Sequence, residues 1–233
     1  IHSPKTAVPP PRGFRQALLN ASSVAVIAEA KKASPSKGVI CRDFNPQQIA
    51  RDYEAGGAHA ISVLTDKDFF QGSIEYIPLV RDTVALPVLR KDFIFDPIQT
   101  KEASMYGADA ILLIAALLES SQMQDFRLQS EEAGMDVLIE VHDEAELDKT
   151  LAAGARLIGI NNRNLKDFTV SLETTFRLVR LIPAEIPVVS ESGISSREDM
   201  LRLKEAGIKA ALIGESLMRS PEQAGTLRNI FFL

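Results

Sequence analysis

The stretch MYGADAILLIA (residues 105–115) contains the unit from which the fold can be predicted. Its first part ends an amphipathic segment, and its glycine suits the left-handed conformation that terminates a helix. The apolar run that follows is typical of a buried strand. Four other stretches repeat this order: EAGGAHAI (54–61), EEAGMDVL (131–138), AAGARLIG (152–159) and EAGIKAAL (205–212). The repeat predicts a chain in which helices alternate with strands.

Eight short apolar runs, rich in β-branched residues, extend this pattern over the chain. They are VAVIAE (24–29), AISVLT (60–65), PVLRKD (87–92), AILLIA (110–115), DVLIEV (136–141), RLIGIN (156–161), PVVSES (187–192) and AALIGE (210–215). Alternation of strands and helices predicts an α/β fold with a parallel sheet. Eight such units in a chain of 233 residues fit a closed (β/α)8 barrel, the TIM barrel.

We therefore predict one barrel domain over residues 21–233, preceded by an N-terminal tail and a short helix over residues 1–20. The tail is the proline-rich IHSPKTAVPPPR, and the short helix contains RQALL. The alternative is a doubly wound open sheet. That fold would place a glycine-rich phosphate loop after the first strand, where this chain has AEAKKAS instead.

Composition narrows the classes of function. The net charge is −5 and no segment carries a basic stripe, so we expect no nucleic-acid partner. Cys41 is the only cysteine, which excludes disulfides within the chain and fits a reducing compartment. No apolar run approaches the roughly 18 residues of a membrane span, and no signal-peptide pattern is present. We expect a cytoplasmic monomer, or a plastid protein if the chain is a processed plant form.

In this barrel the functional site lies at the C-terminal ends of the strands, so polar residues there are informative. The stretch EAKKASPSKG (29–38) follows the first apolar run. Because alternate residues of a strand share a face, Ile27, Glu29 and Lys31 point the same way, and Lys32 points to the surface. The same alternation pairs Leu89 with Lys91. On the fifth strand it aligns Glu140 with His142. The sixth strand ends in NNRN (161–164), with Asn161 and Arg163, and the seventh ends in SESG (190–193), with Glu191 and Ser192.

Each of these side chains also has a simpler explanation. A single charge at a strand end is usually a solvated residue of the rim, and we interpret His142 as a rim or structural histidine. Convergence of several charges on one volume argues against this explanation, because buried charges need partners or a charged ligand. Asp66, Asp68 and Asp92 leave Mg²⁺ as an alternative, but they form no paired-carboxylate arrangement, and we predict no metal site.

The last two strand ends carry a different signal. ESGISSRED (191–199) and IGESLMRS (213–220) each place a glycine beside a serine just before a helix. Free N–H groups at such helix starts bind phosphate, and phosphate sites of this fold often lie in these two loops. Ordinary helix capping by serine is the alternative. Glu215 would repel a phosphate, so we expect backbone donors around Gly214 to bind it while the Glu215 side chain points away.

Six motifs at successive strands resemble those of the indole-3-glycerol phosphate synthase family. They are EAKKASPSKG (29–38), LRKDFI (89–94), LIEVH (138–142), GINNRNL (159–165), SESGIS (190–195) and IGESLM (213–218). The resemblance extends from about PPPR to the C-terminus. It implies ring closure, decarboxylation and dehydration of 1-(2-carboxyphenylamino)-1-deoxyribulose 5-phosphate in tryptophan biosynthesis. It also implies that no metal or organic cofactor takes part.

The resemblance further implies roles for individual residues. Lys91 is expected to be the general acid and Glu140 the general base. Lys31 either holds the substrate carboxylate or shares the acid role, and Glu29 orients it. The other implied site residues are Asn161, Arg163, Glu191 and Ser192 along the pocket, Phe93 on its apolar wall, and Ser34, Gly193, Gly214 and the backbone beside Glu215 at the phosphate. Relatives also have an N-terminal helical extension over the mouth; because it is short here, weaker substrate binding is expected.

Two other functions remain open at this point. One is another phosphate-binding barrel enzyme, such as phosphoribosylanthranilate isomerase or an aldolase that forms a Schiff base on Lys91 or Lys31. The other is a barrel that binds a phosphorylated ligand without turning it over. Covalent trapping by borohydride separates the aldolase from the synthase, and the presence of turnover excludes the non-catalytic barrel.

Overall fold

A computed structural model of the chain describes residues 8–165, 167–220 and 222–231. Eight parallel strands form a closed barrel, which confirms the predicted fold and excludes the open sheet. Each strand overlaps one of the eight predicted apolar runs. The strands are β1 (Ala25–Ala30), β2 (Ala60–Leu64), β3 (Val88–Lys91), β4 (Ala110–Ile114), β5 (Asp136–Val141), β6 (Ile158–Asn161), β7 (Val188–Glu191) and β8 (Ala210–Ile213). Pairing of β1 with both β2 and β8 closes the ring.

One helix precedes the first strand, and the others follow the strands around the outside of the barrel. They are α1 (Phe14–Leu19), α2 (Pro46–Ala55), α3 (Tyr76–Arg81), α4 (Pro97–Met105), α5 (Ser120–Glu132), α6 (Glu144–Ala152), α7 (Glu173–Leu178), α8 (Arg197–Glu205), α9 (Glu215–Met218) and α10 (Gln223–Phe231). Side chains of Asn45, Asp96 and Ser196 cap α2, α4 and α8. After β1, a short hairpin pairs Ala33–Ser34 with Gly38–Val39.

The glycine of each repeated unit has the predicted left-handed backbone. Their φ angles lie between +73° and +88°, at Gly57, Gly107, Gly134, Gly154 and Gly207. In this region a side chain would be strained, so glycine ends each helix and turns the chain into the next strand. The five units therefore perform the same structural task at five places around the barrel.

Side-chain alternation divides the apolar residues into two cores. One core lies between the strands and the surrounding helices and contains residues such as Val26, Ile61 and Ile139. The other fills the barrel itself, where Ile27, Leu89, Leu138, Val189 and Leu212 point inward. The residues two positions further along β1, β3, β5 and β7 continue the inward face, so their side chains are directed toward the mouth.

The N-terminal helix α1 closes the end of the barrel opposite to the predicted site. Phe14 and Leu18 are buried in the inner core with the alanines that begin β1, β2, β4 and β8. These small residues leave space that the two larger side chains fill. Helix α1 therefore does not cover the mouth, and the weaker substrate binding expected from a short extension stays a prediction. The first part of the predicted tail, residues 1–7, lies outside the described residues.

Polar contacts fasten the segment before α1 to the same end of the barrel. Asp109, fully buried just before β4, accepts hydrogen bonds from the Arg12 backbone N–H at 2.7 Å and the Arg81 guanidinium at 2.5 Å. The guanidinium of Arg12 donates to the backbone carbonyls of Arg81, Val84 and Leu86. The Arg15 backbone N–H donates to Asp136 at 2.8 Å.

Candidate active site

A cavity of about 730 Å³ opens at the C-terminal ends of the strands. Side chains from all eight strands or the loops that follow them line it. Every site residue predicted from the sequence is among them: Glu29, Lys31, Ser34, Lys91, Phe93, Glu140, Asn161, Arg163, Glu191, Ser192, Gly193, Gly214 and Glu215. Their presence in one cavity is an observation, and their individual roles stay predictions.

The centre of the cavity contains an ammonium group between two carboxylates. Lys91 Nζ lies 3.1 Å from Glu140 Oε2 and 3.0 Å from Glu191 Oε2. The lysine comes from β3 and the glutamates from β5 and β7, and each side chain continues the inward face of its strand. Both glutamates are more than nine-tenths buried. The predicted alternation of these three strands is therefore sufficient to bring the charges together.

Burial and charge set the pKa values of this cluster. Burial opposes the ammonium form of Lys91, but the carboxylates of Glu140 and Glu191 outweigh it and raise the pKa of Lys91. Burial also favours the neutral form of Glu140, yet Lys91 and His142 together hold the pKa of Glu140 below its ordinary value. For Glu191, burial and the nearby Glu140 charge prevail and raise the pKa to about 7.

A second ion pair lies at the β1 side of the cavity. Lys31 Nζ donates to Glu29 Oε2 at 2.6 Å, and only 16% of the Lys31 side chain and 5% of the Glu29 side chain are exposed. Lys32 is absent from the cavity lining, as the alternation predicts. Lys91 and Lys31 thus have different surroundings in the cavity, one with two carboxylates and one with a single carboxylate.

Two glycines provide the space that the buried carboxylates occupy. A Cβ atom on Gly159 of β6 would overlap Glu191 Oε1, and a Cβ atom on Gly214 would overlap Glu29 Oε2. Neither contact depends on an unusual backbone angle, so the restriction is one of space. Each glycine therefore allows a strand neighbour to direct a carboxylate toward a lysine.

The loops after β6, β7 and β8 form the predicted phosphate end of the cavity. Ser192 and Gly193 have φ angles of +67° and +78°, and Ser192 Oγ donates to Asn161 Oδ1 at 2.9 Å. Ser196 caps α8 through the Asp199 backbone N–H, so ordinary capping applies to this serine, while its neighbour Ser195 lines the cavity. Backbone groups at Gly193 and Gly214 stay candidates for phosphate binding.

The side of the cavity formed by β4 is apolar, as predicted. Leu112, Ile114 and Leu117 line it, and Phe93 stands beside them with its ring in contact with those of Phe69 and Phe70. About half of the Leu117 side chain is exposed. The cavity therefore combines an apolar wall, a charged centre and a polar end with backbone donors.

Comparison with known proteins relates this cavity to a family. The family model described as indole-3-glycerol phosphate synthase matches residues 2–230. The chain belongs to the indole-3-glycerol phosphate synthase family. It is 60% identical over 222 residues to the indole-3-glycerol phosphate synthase of Desulfotalea psychrophila, covering 95% of this chain and 85% of the relative. The protein of the same name from Polaromonas naphthalenivorans is 51% identical over 219 residues, with 94% and 83% covered.

Solved structures outside the family share the fold. KGPDC from Streptococcus mutans has a TM-score of 0.67 at 12% identity and covers 90% of this chain and 96% of that one. Thiamine phosphate pyrophosphorylase from Pyrococcus furiosus has a TM-score of 0.66 at 16% identity, with 89% and 93% covered. At these identities the likeness shows the barrel and nothing about the reaction.

Several lining residues of this family member were absent from the sequence-based prediction. Arg219 of the loop after α9 donates to Glu215 Oε1 at 3.1 Å, and Arg163 lies 3.9 Å from Glu215 Oε2. These two arginines balance the charge of Glu215, whose expected direction away from a phosphate stays a prediction. The other lining residues that were not predicted include Lys37, Phe70, Leu165, Phe168 and Ser216. Apart from Ser216, which lies in the short helix α9, they lie on loops, where neither strand nor helix periodicity gives a signal.

Two of the three aspartates considered for Mg²⁺, Asp66 and Asp92, are engaged in protein contacts. Asp66 accepts the Phe69 backbone N–H at 2.7 Å, and Asp92 accepts from Thr65 at 2.6 Å and Arg90 at 3.0 Å. Among residues 8–165, 167–220 and 222–231, no three histidine, cysteine, aspartate or glutamate side chains are grouped so that they could hold a metal ion. Within the same described ranges, none of the helices has the length and apolar character needed to cross a membrane.

Proposed function

We propose that this chain converts 1-(2-carboxyphenylamino)-1-deoxyribulose 5-phosphate into indole-3-glycerol phosphate, with Lys91 as the general acid. Family membership supports the activity, which is that of a carboxy-lyase in tryptophan biosynthesis. The observation that carries the residue assignment is the Lys91 ammonium, held between Glu140 and Glu191 at the centre of the cavity. Because each step moves only protons, CO2 and water, the proposal requires no cofactor.

Ring closure is the step that needs an acid. The aromatic carbon that bears the carboxylate attacks the ketone carbon, and the ketone oxygen gains negative charge. Lys91 donates a proton to that oxygen as the carbon–carbon bond forms. The raised pKa of Lys91 keeps the proton on the nitrogen until the developing oxyanion competes for it. Loss of CO2 then returns the electron pair to the ring.

Dehydration requires a base as well as an acid. Glu140 is ionised because its pKa is lowered, so it can remove the proton that must leave the substrate carbon as the hydroxyl departs as water. Lys31 or Lys91 supplies the proton for that water. Glu140 lies 3.1 Å from Lys91, so a proton on the carboxyl can return directly to the amine.

The two ends of the cavity fit the two ends of the substrate. Lys31, oriented by Glu29, is suited to the substrate carboxylate, and Leu112 and Phe93 to its aromatic ring. At the other end, Ser34 and backbone groups at Gly193 and Gly214 are suited to the phosphate. Arg163, Asn161 and Ser192 also line the cavity and are available to the substrate.

Replacement of Lys91 tests the assignment. Lys91→Ala should lower kcat by about a hundredfold or more, since positioned acid catalysis contributes about 10²–10⁴. Product binding, followed by indole fluorescence, should change little. Lys32→Ala is the matched control, because Lys32 lies outside the cavity lining, and it should retain wild-type turnover. Near-normal turnover by the Lys91 variant would remove its acid role.

A Schiff-base aldolase is the alternative function, and a covalent trapping experiment can recognise it. An aldolase would form an imine on Lys91 or Lys31, and borohydride would then trap a covalent adduct detectable by mass. The synthase reaction predicts no adduct on either lysine. No turnover of the carboxyphenylamino substrate by the intact chain would contradict the proposed function itself.

A monomer in the cytoplasm is the simplest setting for this activity. The proposed acid, base and phosphate-binding groups all come from one chain and meet in one cavity. A second subunit is therefore not required to complete the site. Light scattering of the purified protein should give the mass of one chain, 25.5 kDa.

A further inference from the structure

His142 joins the buried carboxylate of Glu140 to a second carboxylate nearer the surface. Its Nε2 lies 3.4 Å from Glu140 Oε1, and its Nδ1 lies 3.0 Å from Glu146 Oε2. The same Glu146 oxygen accepts the His142 backbone N–H at 2.8 Å, which fixes the ring relative to α6. The three side chains therefore form a continuous row of titratable groups.

The row leads from the reaction centre toward solvent. Glu140 lines the cavity and its side chain is 5% exposed, whereas His142 is absent from the lining. Glu146 lies in the first turn of α6, and 16% of its side chain is exposed. His142 Nε2 is buried and makes no hydrogen bond to any described residue, and the Glu140 carboxylate lies 3.4 Å from it.

The surroundings of His142 favour its protonated form. Burial alone would lower its pKa, but the hydrogen bond to Glu146 and the charges of Glu140, Glu146 and Glu191 outweigh burial and raise the pKa. The Lys91 ammonium lies on the far side of Glu140. The imidazolium carries a proton on each nitrogen, so it can release one at Nε2 while it keeps the bond to Glu146.

The proposed reaction consumes one proton for each turnover. The ketone oxygen takes up two protons before it leaves as water, and the substrate carbon gives up one. Decarboxylation of a carboxylate releases CO2 and no proton. Glu140 can return its proton to Lys91, but one more must enter from solvent. A bound substrate covers the mouth above Lys91, so during the reaction this proton must come from a group of the protein.

We propose that His142, held in its protonated form by Glu146, is a proton relay that resupplies Glu140 and, through it, Lys91. The ring releases its Nε2 proton to Glu140 and keeps its Nδ1 proton bonded to Glu146, and it takes a proton back at Nε2, through Glu140, once the product has left the cavity. Glu140 then transfers a proton to Lys91 over 3.1 Å. This relay rests on the proposed function, and it assigns His142 a part beyond the rim or structural one expected from the sequence.

Replacement of the ring by a side chain that cannot titrate tests the relay. His142→Asn keeps a polar group next to Glu146, and we expect its kcat to fall at least about tenfold while KM stays near the wild-type value. The loss relative to the wild type should be largest near about pH 6, where the wild-type ring is protonated, and should shrink toward about pH 9 as the ring loses that proton. Added imidazole should restore much of the lost kcat, because a small acid can replace the missing ring.

Two glutamates of the same helix turn provide a matched pair. Glu146→Gln should lower kcat with the same pH trend, whereas Glu144→Gln should leave kcat unchanged, since Glu144 pairs with Arg177 on the surface. Wild-type kcat in His142→Asn at every pH would overturn the relay. A lowered kcat that imidazole does not restore would also overturn it and indicate a purely structural role. Failure of the proposed function is distinct, because the unaltered chain would then show no turnover.

Discussion

Glu140 and Glu191 share the Lys91 ammonium, yet their pKa values move in opposite directions. Glu140 has a second cation nearby in His142, and Asn161 also contributes a hydrogen bond to it. Glu191 Oε1 is buried and has no hydrogen-bond partner among the described residues. An oxygen without a donor gains nothing to offset burial, so Glu191 binds a proton more readily. The two carboxyl groups are thus prepared for different protonation states.

We expect Gly159 to be as important for the position of the Glu191 carboxylate as any polar residue of the site. In Gly159→Ala the new methyl group would overlap Glu191 Oε1, so the carboxylate must turn away from Lys91. We expect a loss of thermal stability of about 1–3 kcal/mol from overpacking, together with a lower kcat. Thermal unfolding and steady-state turnover measure the two effects.

A double-mutant cycle tests whether the loss of stability in Gly159→Ala comes from the contact with Glu191. In a Glu191→Ala background the space beside Gly159 is open, so adding Gly159→Ala should change stability much less than it does in the wild type. An equal loss of stability in both backgrounds would show that the methyl group acts on something other than Glu191. The stability readout keeps the test valid even where Glu191→Ala has lost its activity.

Residue-level prediction from the sequence succeeded where the information was local. Lys91 and Glu140 could be placed at the mouth because each lies two positions beyond an inward apolar residue of its own strand. The need for glycine at position 159 could not be predicted. It arises from a carboxylate of the neighbouring strand, which becomes adjacent only when the barrel has formed. His142 was found by alternation, but its contact with Glu146 depends on the docking of α6.

Among the secondary-structure elements, helix α1 closes one end of the barrel and supplies no residue to the cavity lining. Phe14 and Leu18 enter the inner core at the end where several strands begin with alanine. The opposite end, where the polar groups converge, is left open. The barrel therefore has one end built for stability and another built for the reaction.

Two adjacent leucines of α1 allow the contribution of the closed end of the barrel to stability to be measured. Leu18 is 2% exposed and Leu19 is 36% exposed. Leu18→Ala should lower the free energy of unfolding by about 2–5 kcal/mol through the cavity that it leaves. Leu19→Ala should change it by less than about 0.5 kcal/mol. Denaturant unfolding gives both values.

Turnover completes the comparison between the two variants. Below the unfolding temperature we expect kcat of Leu18→Ala to stay near that of the wild type, since α1 and the cavity lie at opposite ends of the barrel. A selective loss of kcat in folded Leu18→Ala would contradict the assignment of α1 to the closed end.

Element positions were predicted well because strand and helix periods appear directly in the sequence. The apolar runs marked all eight strands, and the repeated glycines marked the junctions before five of them. The location of α1 was not predicted. An amphipathic helix shows that it has an apolar face, but its sequence does not tell which end of a barrel offers a matching surface.

Across the whole molecule, the buried charges of the cavity connect stability to pH. The pKa of Glu191 in the folded chain is about 7, above its ordinary value of 4.5. The folded state therefore binds this proton more tightly than the unfolded state does. The resulting stability is fully present below about pH 4.5 and is lost as the pH rises through about 7.

Glu191→Gln isolates this contribution. The amide imitates the protonated carboxyl and does not titrate, so the wild type should lose stability relative to the variant between about pH 5 and about pH 8. The raised pKa of Glu191 corresponds to a change of up to about 3 kcal/mol in the difference between the unfolding free energies of the wild type and the variant. Unfolding in denaturant at several pH values measures it. A difference that stays constant over this range would contradict the raised pKa.

The hydrogen bonds that hold the N-terminal segment also affect the order in which parts of the chain can fold during translation. Arg12 binds Asp109, which lies 97 residues later, and Arg15 binds Asp136, which lies 121 residues later. The first described part of the chain to leave the ribosome must therefore wait until half of the protein has been made before its partners exist. This segment is therefore translated before the strands that hold it, and it docks after they have formed.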